Sequence, residues 1–168
     1  SEIIIEDSPE YADDLYFLRE DSNHRIKQKN QGRIIYQPGV AEGEIIASNL
    51  QTLLTLAGTK FFPELEGKIL FLEEAEGEDT SMVHRFFTQL SQIIDLNKLK
   101  AVCIGRFATQ SGFKETDSFE AILDDVFAEI KIPVIYNLDF GHTDPLFTIP
   151  IGGKCKIDTE KNSIIFLQ

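Results

Sequence analysis

A glutamate and a histidine each stand just beyond a strand-like stretch of the sequence. Glu73 is the first polar residue after the apolar run 69–72, and His142 follows Gly141 shortly after the apolar run 133–136. A carboxylate that binds the far nitrogen of a histidine fixes its tautomer and stabilises the imidazolium, so such a pair can act as a general base. On spacing alone, a structural loop histidine explains His142 equally well.

The loop that follows Glu73 is strongly acidic. Glu74, Glu76, Glu78 and Asp79 all precede a predicted helix, and carboxylates in that position favour the positive end of the helix, so we expect them to be solvated. Oxygen ligands of this kind also suit calcium or magnesium, but their spacing does not match an EF-hand loop. A metal-dependent hydrolase that uses Asp79 with the Glu–His pair is a weaker alternative.

No nucleophile motif accompanies the pair. The sequence contains no Gly-x-Ser-x-Gly elbow, no P-loop and no Gly-x-Gly-x-x-Gly. Ser111 is the only serine on a candidate active-edge loop, and because nothing strand-like leads tightly into it, we interpret it as a polar loop residue. His24 lies in a polar segment and His84 on a predicted helix, and we expect neither to be catalytic. The sequence therefore supplies two of the three members of a catalytic triad.

Buried strands are predicted to position these residues. Stretches with helical periodicity separate three apolar runs, and this order implies an α/β fold with a parallel sheet and right-handed crossovers. Chemistry in such sheets gathers beyond the carboxyl ends of the strands, so the candidate loops begin at Glu73, Gly105 and Asn137. The apolar runs are 69–72, 101–104 and 133–136.

Helices are predicted before and between these strands. Apolar residues at three- and four-residue steps predict a first helix from Glu44 to a stop at Gly58. The second helix is predicted to be capped by Thr80 or Ser81, and the third by Asp117.

Shorter elements are predicted at both ends of the chain. Residues 3–5 and 33–36 are strand-like, and the polar segment 11–30 between them is interpreted as a connector or arm. Near the carboxyl terminus, residues 154–157 and 164–167 predict a hairpin.

The composition excludes several classes of partner. A chain of 168 residues fits one domain. Its net charge of -12 argues against a nucleic-acid backbone or an anionic membrane surface as a partner. No stretch is long and apolar enough to cross a bilayer and no signal peptide opens the chain, so we expect a cytoplasmic protein.

Two further details of the sequence concern its thiols and its start. Cys103 and Cys155 match no metal or redox spacing, and Cys103 is expected to be a buried structural thiol. The chain begins with Ser1 and its sole methionine is Met82. We therefore expect it to be part of a longer protein.

Several short motifs carry a family resemblance. Their order and separations resemble those of the carboxyl-terminal domain of the LD-carboxypeptidase and microcin C immunity (MccF-like) family of serine peptidases. The motifs are Pro-Gly-Val-Ala-Glu-Gly at 38–43, Ala-Ser-Asn-Leu at 47–50, Gly-Lys-Ile-Leu-Phe-Leu-Glu-Glu at 67–74, Ile-Gly-Arg-Phe at 104–107, Gly-His-Thr at 141–143 and Thr-Ile-Pro-Ile-Gly at 148–152.

The resemblance implies a fold and a division of labour. Residues 33–168 would form a swivelling β/β/α-type domain, with a central parallel sheet and a C-terminal hairpin, after a connector at 1–32. By motif, Glu73 is the triad acid and His142 the general base, with no metal or cofactor. The serine and the oxyanion donors would come from an amino-terminal domain absent from this chain, which would be inactive alone. The family also implies a homodimer.

The resemblance leaves two substrate classes open. One branch of the family cleaves a murein tetrapeptide ending in D-alanine, and the immunity branch cleaves a peptidyl nucleotide. The segment 13–18 and the Ser81-Met82 helix start resemble the immunity branch more closely. The alternative from another functional class is a noncatalytic dimerisation or ligand-binding module, which a wide separation of Glu73 and His142 would favour.

Overall fold

The computed structural model describes residues 2–21 and 23–167. These residues form an eight-stranded sheet, a separate two-stranded sheet, and helices that connect the parallel strands. The strands are β1 Glu2–Ile4, β2 Glu10–Tyr11, β3 Gln28–Lys29, β4 Ile34–Gln37, β5 Val40–Asn49, β6 Lys68–Glu73, β7 Ala101–Gly105, β8 Val134–Leu138, β9 Lys154–Asp158 and β10 Ser163–Leu167. The helices are α1 Leu50–Leu54, α2 Thr80–Ile93 and α3 Phe119–Val126.

The large sheet has a parallel centre and antiparallel edges. Its strand order is β1-β10-β9-β5-β6-β7-β8-β4, in which the strands from β5 to β8 pair in parallel. The hairpin of β9 and β10 pairs antiparallel beside β5, and β4 pairs antiparallel beside β8. The predicted α/β fold class, with its parallel core and C-terminal hairpin, is confirmed.

The helix predicted from Glu44 to Gly58 is wrong over its first half. Strand β5 continues to Asn49 and pairs in parallel with β6, and only the five residues of α1 are helical after it. The neighbours Ile45 and Ile46 face opposite cores, as adjacent residues of a strand must. Their β-branched side chains also favour a strand. The parallel core therefore contains one strand more than predicted.

Two apolar layers cover the two faces of the sheet. On β6, Leu70 and Leu72 pack in one core with α1, α2 and α3, whereas Ile69 and Phe71 pack in the other. The second core is completed by Ile5 and by loop residues after β8, which include Phe140, Phe147 and Ile149. Glu73 follows this alternation and lies on the face without the helices.

Neither α2 nor α3 is capped by the residue that the sequence predicts. Asp79, rather than Thr80 or Ser81, caps α2, because its carboxylate accepts a hydrogen bond from the Met82 amide at 2.9 Å. Ser118, rather than Asp117, caps α3 and accepts from the Ala121 amide at 3.2 Å. The Asp117 carboxylate instead accepts a hydrogen bond from the Thr80 hydroxyl at 2.6 Å.

The amino-terminal segment contacts the rest of the fold at several points. Strand β1 pairs with β10, and the amide and carbonyl of Ala12 exchange hydrogen bonds of 2.8 Å with those of Asp144. Strands β2 and β3 pair with each other inside the amino-terminal segment. The division into a connector at 1–32 and a domain at 33–168 stays a prediction. Within the described part of the chain, no helix has both the length and the apolar character to span a membrane.

Candidate active site

The structure brings Glu73 and His142 together at the carboxyl edge of the parallel strands. Glu73 is the last residue of β6, and His142 lies in the loop that follows β8, which we call the His142 loop (residues 139–145). The Nδ1 atom of His142 is 2.6 Å from Oε2 of Glu73. The Glu73 side chain is 14% exposed and the His142 side chain 42% exposed, so a protected carboxylate holds a solvent-accessible imidazole.

Two glycines allow the backbone to approach Glu73 this closely. Gly141 has φ +104°, and a Cβ at this position would lie 2.9 Å from the Glu73 Cβ and 3.1 Å from its Oε2. A Cβ at Gly105, the last residue of β7, would lie 2.5 Å from the Phe140 carbonyl oxygen and 3.1 Å from the Glu73 Cβ. The site therefore requires glycine at both positions.

The hydrogen bond determines which nitrogen of His142 is available for chemistry. Because a carboxylate only accepts, we infer that Nδ1 carries the proton that it shares with Glu73. The Nε2 atom then keeps its lone pair and can accept a proton from a nucleophile. This is the tautomer that a Ser-His-acid triad requires.

The neighbouring Glu74 is buried, which corrects the expectation of a solvated side chain. Only 3% of it is exposed. Its carboxylate accepts a hydrogen bond of 2.6 Å from the Gln51 amide and one of 3.2 Å from the Asn49 side chain. Burial raises the pKa of the Glu74 carboxyl, while these hydrogen bonds oppose the rise. Glu74 thus connects the end of β6 to the start of α1.

A buried arginine, whose role the sequence analysis missed, contacts residues on both sides of His142. Arg106 follows β7, and its guanidinium is ion-paired with Asp139. It also donates to the Asn137 side chain at 3.2 Å and to the Thr143 hydroxyl at 3.3 Å. The sheet-edge argument that united Glu73 with His142 applies equally to Arg106 and Asp139, because each is a charged residue just beyond a buried strand.

The amino-terminal segment adds further contacts to the same edge. The Asp13 carboxylate accepts a hydrogen bond of 2.7 Å from the amide of Thr109, in the loop after β7. Arg25 bridges Asp14 at 2.8 Å and Asp144 at 2.5 Å. The ring of Tyr11 lies 4.4 Å from the Arg106 guanidinium carbon. This segment therefore packs against both loops that border the Glu–His pair.

The other candidate residues of the sequence lie outside this arrangement. Asp79 caps α2, and His84 forms an exposed 2.7 Å pair with Asp125. His24 is exposed. Ser111 is only 1% exposed, and its hydroxyl finds no hydrogen-bond partner among the described residues.

The metal alternative finds no matching geometry. Across residues 2–21 and 23–167, no group of three or more histidine, cysteine, aspartate or glutamate side chains could hold a metal ion. Glu73, Asp79 and His142 are therefore not gathered into one site.

A cleft of about 310 Å³ lies beside Glu73, on the face of the sheet without the helices. Glu73, Asn49 and Ser48 contribute polar groups to its lining. The apolar part of the lining includes Ala47, Phe71, Phe140, Leu146, Phe147 and Ile151. The carboxylate thus lies at the border of an apolar surface.

Comparison with known proteins gives a family and several relatives. The model of the LD-carboxypeptidase C-terminal domain matches residues 42–157. YocD of Bacillus subtilis (strain 168) is 38% identical over 154 residues, which are 92% of this chain and 46% of that protein. The microcin C7 self-immunity protein MccF of Escherichia coli is 31% identical over 130 residues, which are 77% of this chain and 38% of MccF.

A murein enzyme and a solved structure are similar as well. The murein tetrapeptide carboxypeptidase of Pseudomonas aeruginosa is 34% identical over 102 residues, which are 60% of this chain and 33% of the enzyme. The crystal structure of an MccF-like protein from Bacillus anthracis superposes with a TM-score of 0.89 at 34% identity, covering 100% of this chain and 52% of that one. The chain spans about half the length of curated relatives that match more than nine-tenths of it.

Proposed function

The chain belongs to the LD-carboxypeptidase C-terminal domain family, as its motifs predicted, and we propose that it supplies the acid and the base of a serine-peptidase triad. In this proposal Glu73 is the acid and His142 the general base. The observation that carries the proposal is the 2.6 Å contact between His142 Nδ1 and Glu73 Oε2. The nucleophilic serine and the oxyanion donors would belong to an amino-terminal domain of the same protein.

The proposed reaction is amide hydrolysis through an acyl-enzyme. His142 Nε2 takes the proton of the serine as its oxygen attacks the carbonyl carbon, and the imidazolium that forms is stabilised by Glu73. The same nitrogen then returns the proton to the leaving amine. Water repeats the sequence on the ester, which releases the acid and regenerates the serine.

The separation of the two side chains supports catalysis over a noncatalytic interaction module. Such a module does not need a hydrogen bond that fixes the tautomer of a histidine. In this site two glycines make that hydrogen bond possible. A glycine with φ +104° and a second glycine beside Phe140 both make room for Glu73.

The substrate of the proposed enzyme is either a small murein peptide or a small peptide linked to a nucleotide. The names of the relatives point to a murein tetrapeptide on one side and to microcin C on the other. The full-length protein should therefore be assayed with a murein tetrapeptide, by release of D-alanine, and with a peptidyl-adenylate analogue, by release of the nucleotide portion. The homodimer and the cytoplasmic location stay predictions.

Replacement of His142 tests the triad directly. In the full-length protein, His142→Ala should lower turnover by several powers of ten, because the serine loses its general base. His84→Ala is the matched control, since His84 also pairs with a carboxylate at 2.7 Å but on the outer surface of α2. A His142→Ala protein within about tenfold of wild type would contradict the assignment.

The isolated chain provides a second test. We expect it to hydrolyse neither substrate. Ser111 is buried and its hydroxyl is bonded to no described residue, and Ser48, which lines the cleft beside Glu73, donates its hydroxyl to the Asn49 carbonyl at 2.9 Å. Hydrolysis by this chain that disappears in Ser111→Ala or in Ser48→Ala would place the nucleophile here instead.

A further inference from the structure

We propose that Arg106 is a positioning residue for His142, an inference that rests on the function proposed above. Among the described residues, the Arg106 side chain bonds to Asn137, Asp139 and Thr143, and not to Glu73 or His142. It instead holds the backbone that carries the imidazole.

The hydrogen bonds of Arg106 go to residues on both sides of His142. The guanidinium pairs with Asp139 and donates to the hydroxyl of Thr143, so one planar group joins the two ends of a five-residue segment. Its Nε donates to the Asn137 side chain at 3.2 Å, and its backbone amide donates to the Leu138 carbonyl at 2.9 Å. Three side-chain acceptors in different directions require the fork of a guanidinium, which a lysine ammonium cannot reproduce.

Burial makes these bonds obligatory. The Arg106 side chain is 3% exposed and that of Asp139 6% exposed, while Thr143 as a whole is 2% exposed. Asp139 is held from its other side by the Ser8 amide at 2.7 Å. Solvent cannot replace a lost partner at such depth, so the segment would have to rearrange to satisfy the groups left behind.

The position of His142 depends on this segment more than on contacts of its own. Its imidazole is 42% exposed and bonds to Glu73, and the residue before it is a glycine, whose backbone is the least restricted of all. A segment that is free to shift would carry the imidazole away from Glu73 Oε2. Arg106 therefore restrains the segment that carries the general base.

Arg106→Lys tests the proposal, with Arg33→Lys as a matched control. Arg33 is equally buried, with 3% of its side chain exposed, and it also forms an ion pair, to Asp7 at 2.8 Å. Its further side-chain bond goes to the Ile5 carbonyl, and none of the bonds described for Arg33 goes to residues 139–145. Both substitutions should lower stability, so stability alone does not separate a positioning role from a structural one.

Two measurements separate these roles. In the full-length protein, Arg106→Lys should lower kcat by roughly 10- to 100-fold with little change in KM, whereas Arg33→Lys should keep kcat within about twofold. The tautomer of His142 can be observed by ¹⁵N NMR of the isolated chain at alkaline pH, where the imidazole is neutral. The Nδ1–H tautomer should be found in wild type and in Arg33→Lys, whereas Arg106→Lys should show a mixture of tautomers. Equal kcat values and an unchanged tautomer in both variants would overturn the proposal.

Different measurements test the proposed function and the role of Arg106. If His142→Ala left activity intact, the triad would be wrong, yet the tautomer comparison would still decide whether Arg106 positions His142. Should Arg106→Lys fail to fold, Asp139→Asn removes the charge of the partner while keeping its shape. It should shift the tautomer in the same direction, and a wild-type tautomer in that variant would count against the proposal.

Discussion

Gly141→Ala is the substitution that most directly tests the geometry of the site. The added methyl group would lie 2.9 Å from the Glu73 Cβ and 3.1 Å from the Oε2 atom that binds His142. Both atoms belong to the end of a central strand that cannot easily retreat. The backbone at φ +104° is also one that alanine rarely adopts.

The structure allows the cost to be divided into two parts. Backbone strain at a positive φ should destabilise the alanine variant by about 1–2 kcal/mol. Displacement of Glu73 should remove the hydrogen bond to His142, which adds about 1 kcal/mol because the imidazole is partly exposed. We therefore expect a total loss of about 2–3 kcal/mol in the free energy of unfolding.

Gly112→Ala isolates the first part. Gly112 has φ +77°, and a Cβ there would meet no described atom within 4 Å, so this substitution carries strain without a clash. Urea unfolding of the two variants should show that Gly141→Ala is less stable by about 1 kcal/mol, and NMR should show that only this variant loses the Nδ1–H tautomer of His142. Equal stabilities together with an unchanged tautomer would refute the steric argument.

Two further predictions concern ionisable groups away from the Glu–His contact. Burial raises the pKa of the Glu74 carboxyl, so the folded chain binds this proton more tightly than the unfolded chain, and the group makes folding less favourable as the pH rises above 4.5. The Gln side chain does not titrate, so the stability of Glu74→Gln should increase relative to that of wild type as the pH rises from acidic to neutral. A stability difference in urea titrations that is the same at every pH would contradict this. Burial also raises the pKa of Cys155 to about 12 and that of Cys103 well above its usual value. Neither thiol should react with a disulfide reagent in the native chain although both should in urea, and rapid labelling of the native chain would be the contrary result.

Much of the fold follows from local sequence patterns, and the exception is instructive. The runs that became β6, β7 and β8 were predicted because they are short, continuous and apolar, as strands covered on both faces must be. Strand β5 was misread because Ile45, Ile46, Leu50 and Leu53 also satisfy a helical period across the junction of a strand and a helix. Pairing with two neighbouring strands settles that ambiguity, and such pairing is a tertiary property.

The candidate site was predictable to the extent that topology controls it. Strand order alone was enough to bring Glu73 and His142 to one edge, and the structure joins them. Whether a carboxylate is buried depends on groups distant in sequence, and so Glu74, which binds the Gln51 amide, was expected to be solvated. The Arg106–Asp139 pair was missed because neither residue type implies a particular partner until the loops after β7 and β8 are packed together.

The placement of the edge strands bears on how the chain assembles during synthesis. Residues 2–4 hydrogen-bond with residues 165–167, and the central strand β5 has β9 as one of its two neighbours. Because synthesis proceeds toward the carboxyl end, β1 and β5 leave the ribosome before their partner strands β10 and β9. A nascent chain stalled before residue 154 would expose unpaired strand edges on β1 and β5, and such edges favour association with other chains. Residues 154–167, which form β9 and β10, thus decide whether the sheet is completed or left open to aggregation.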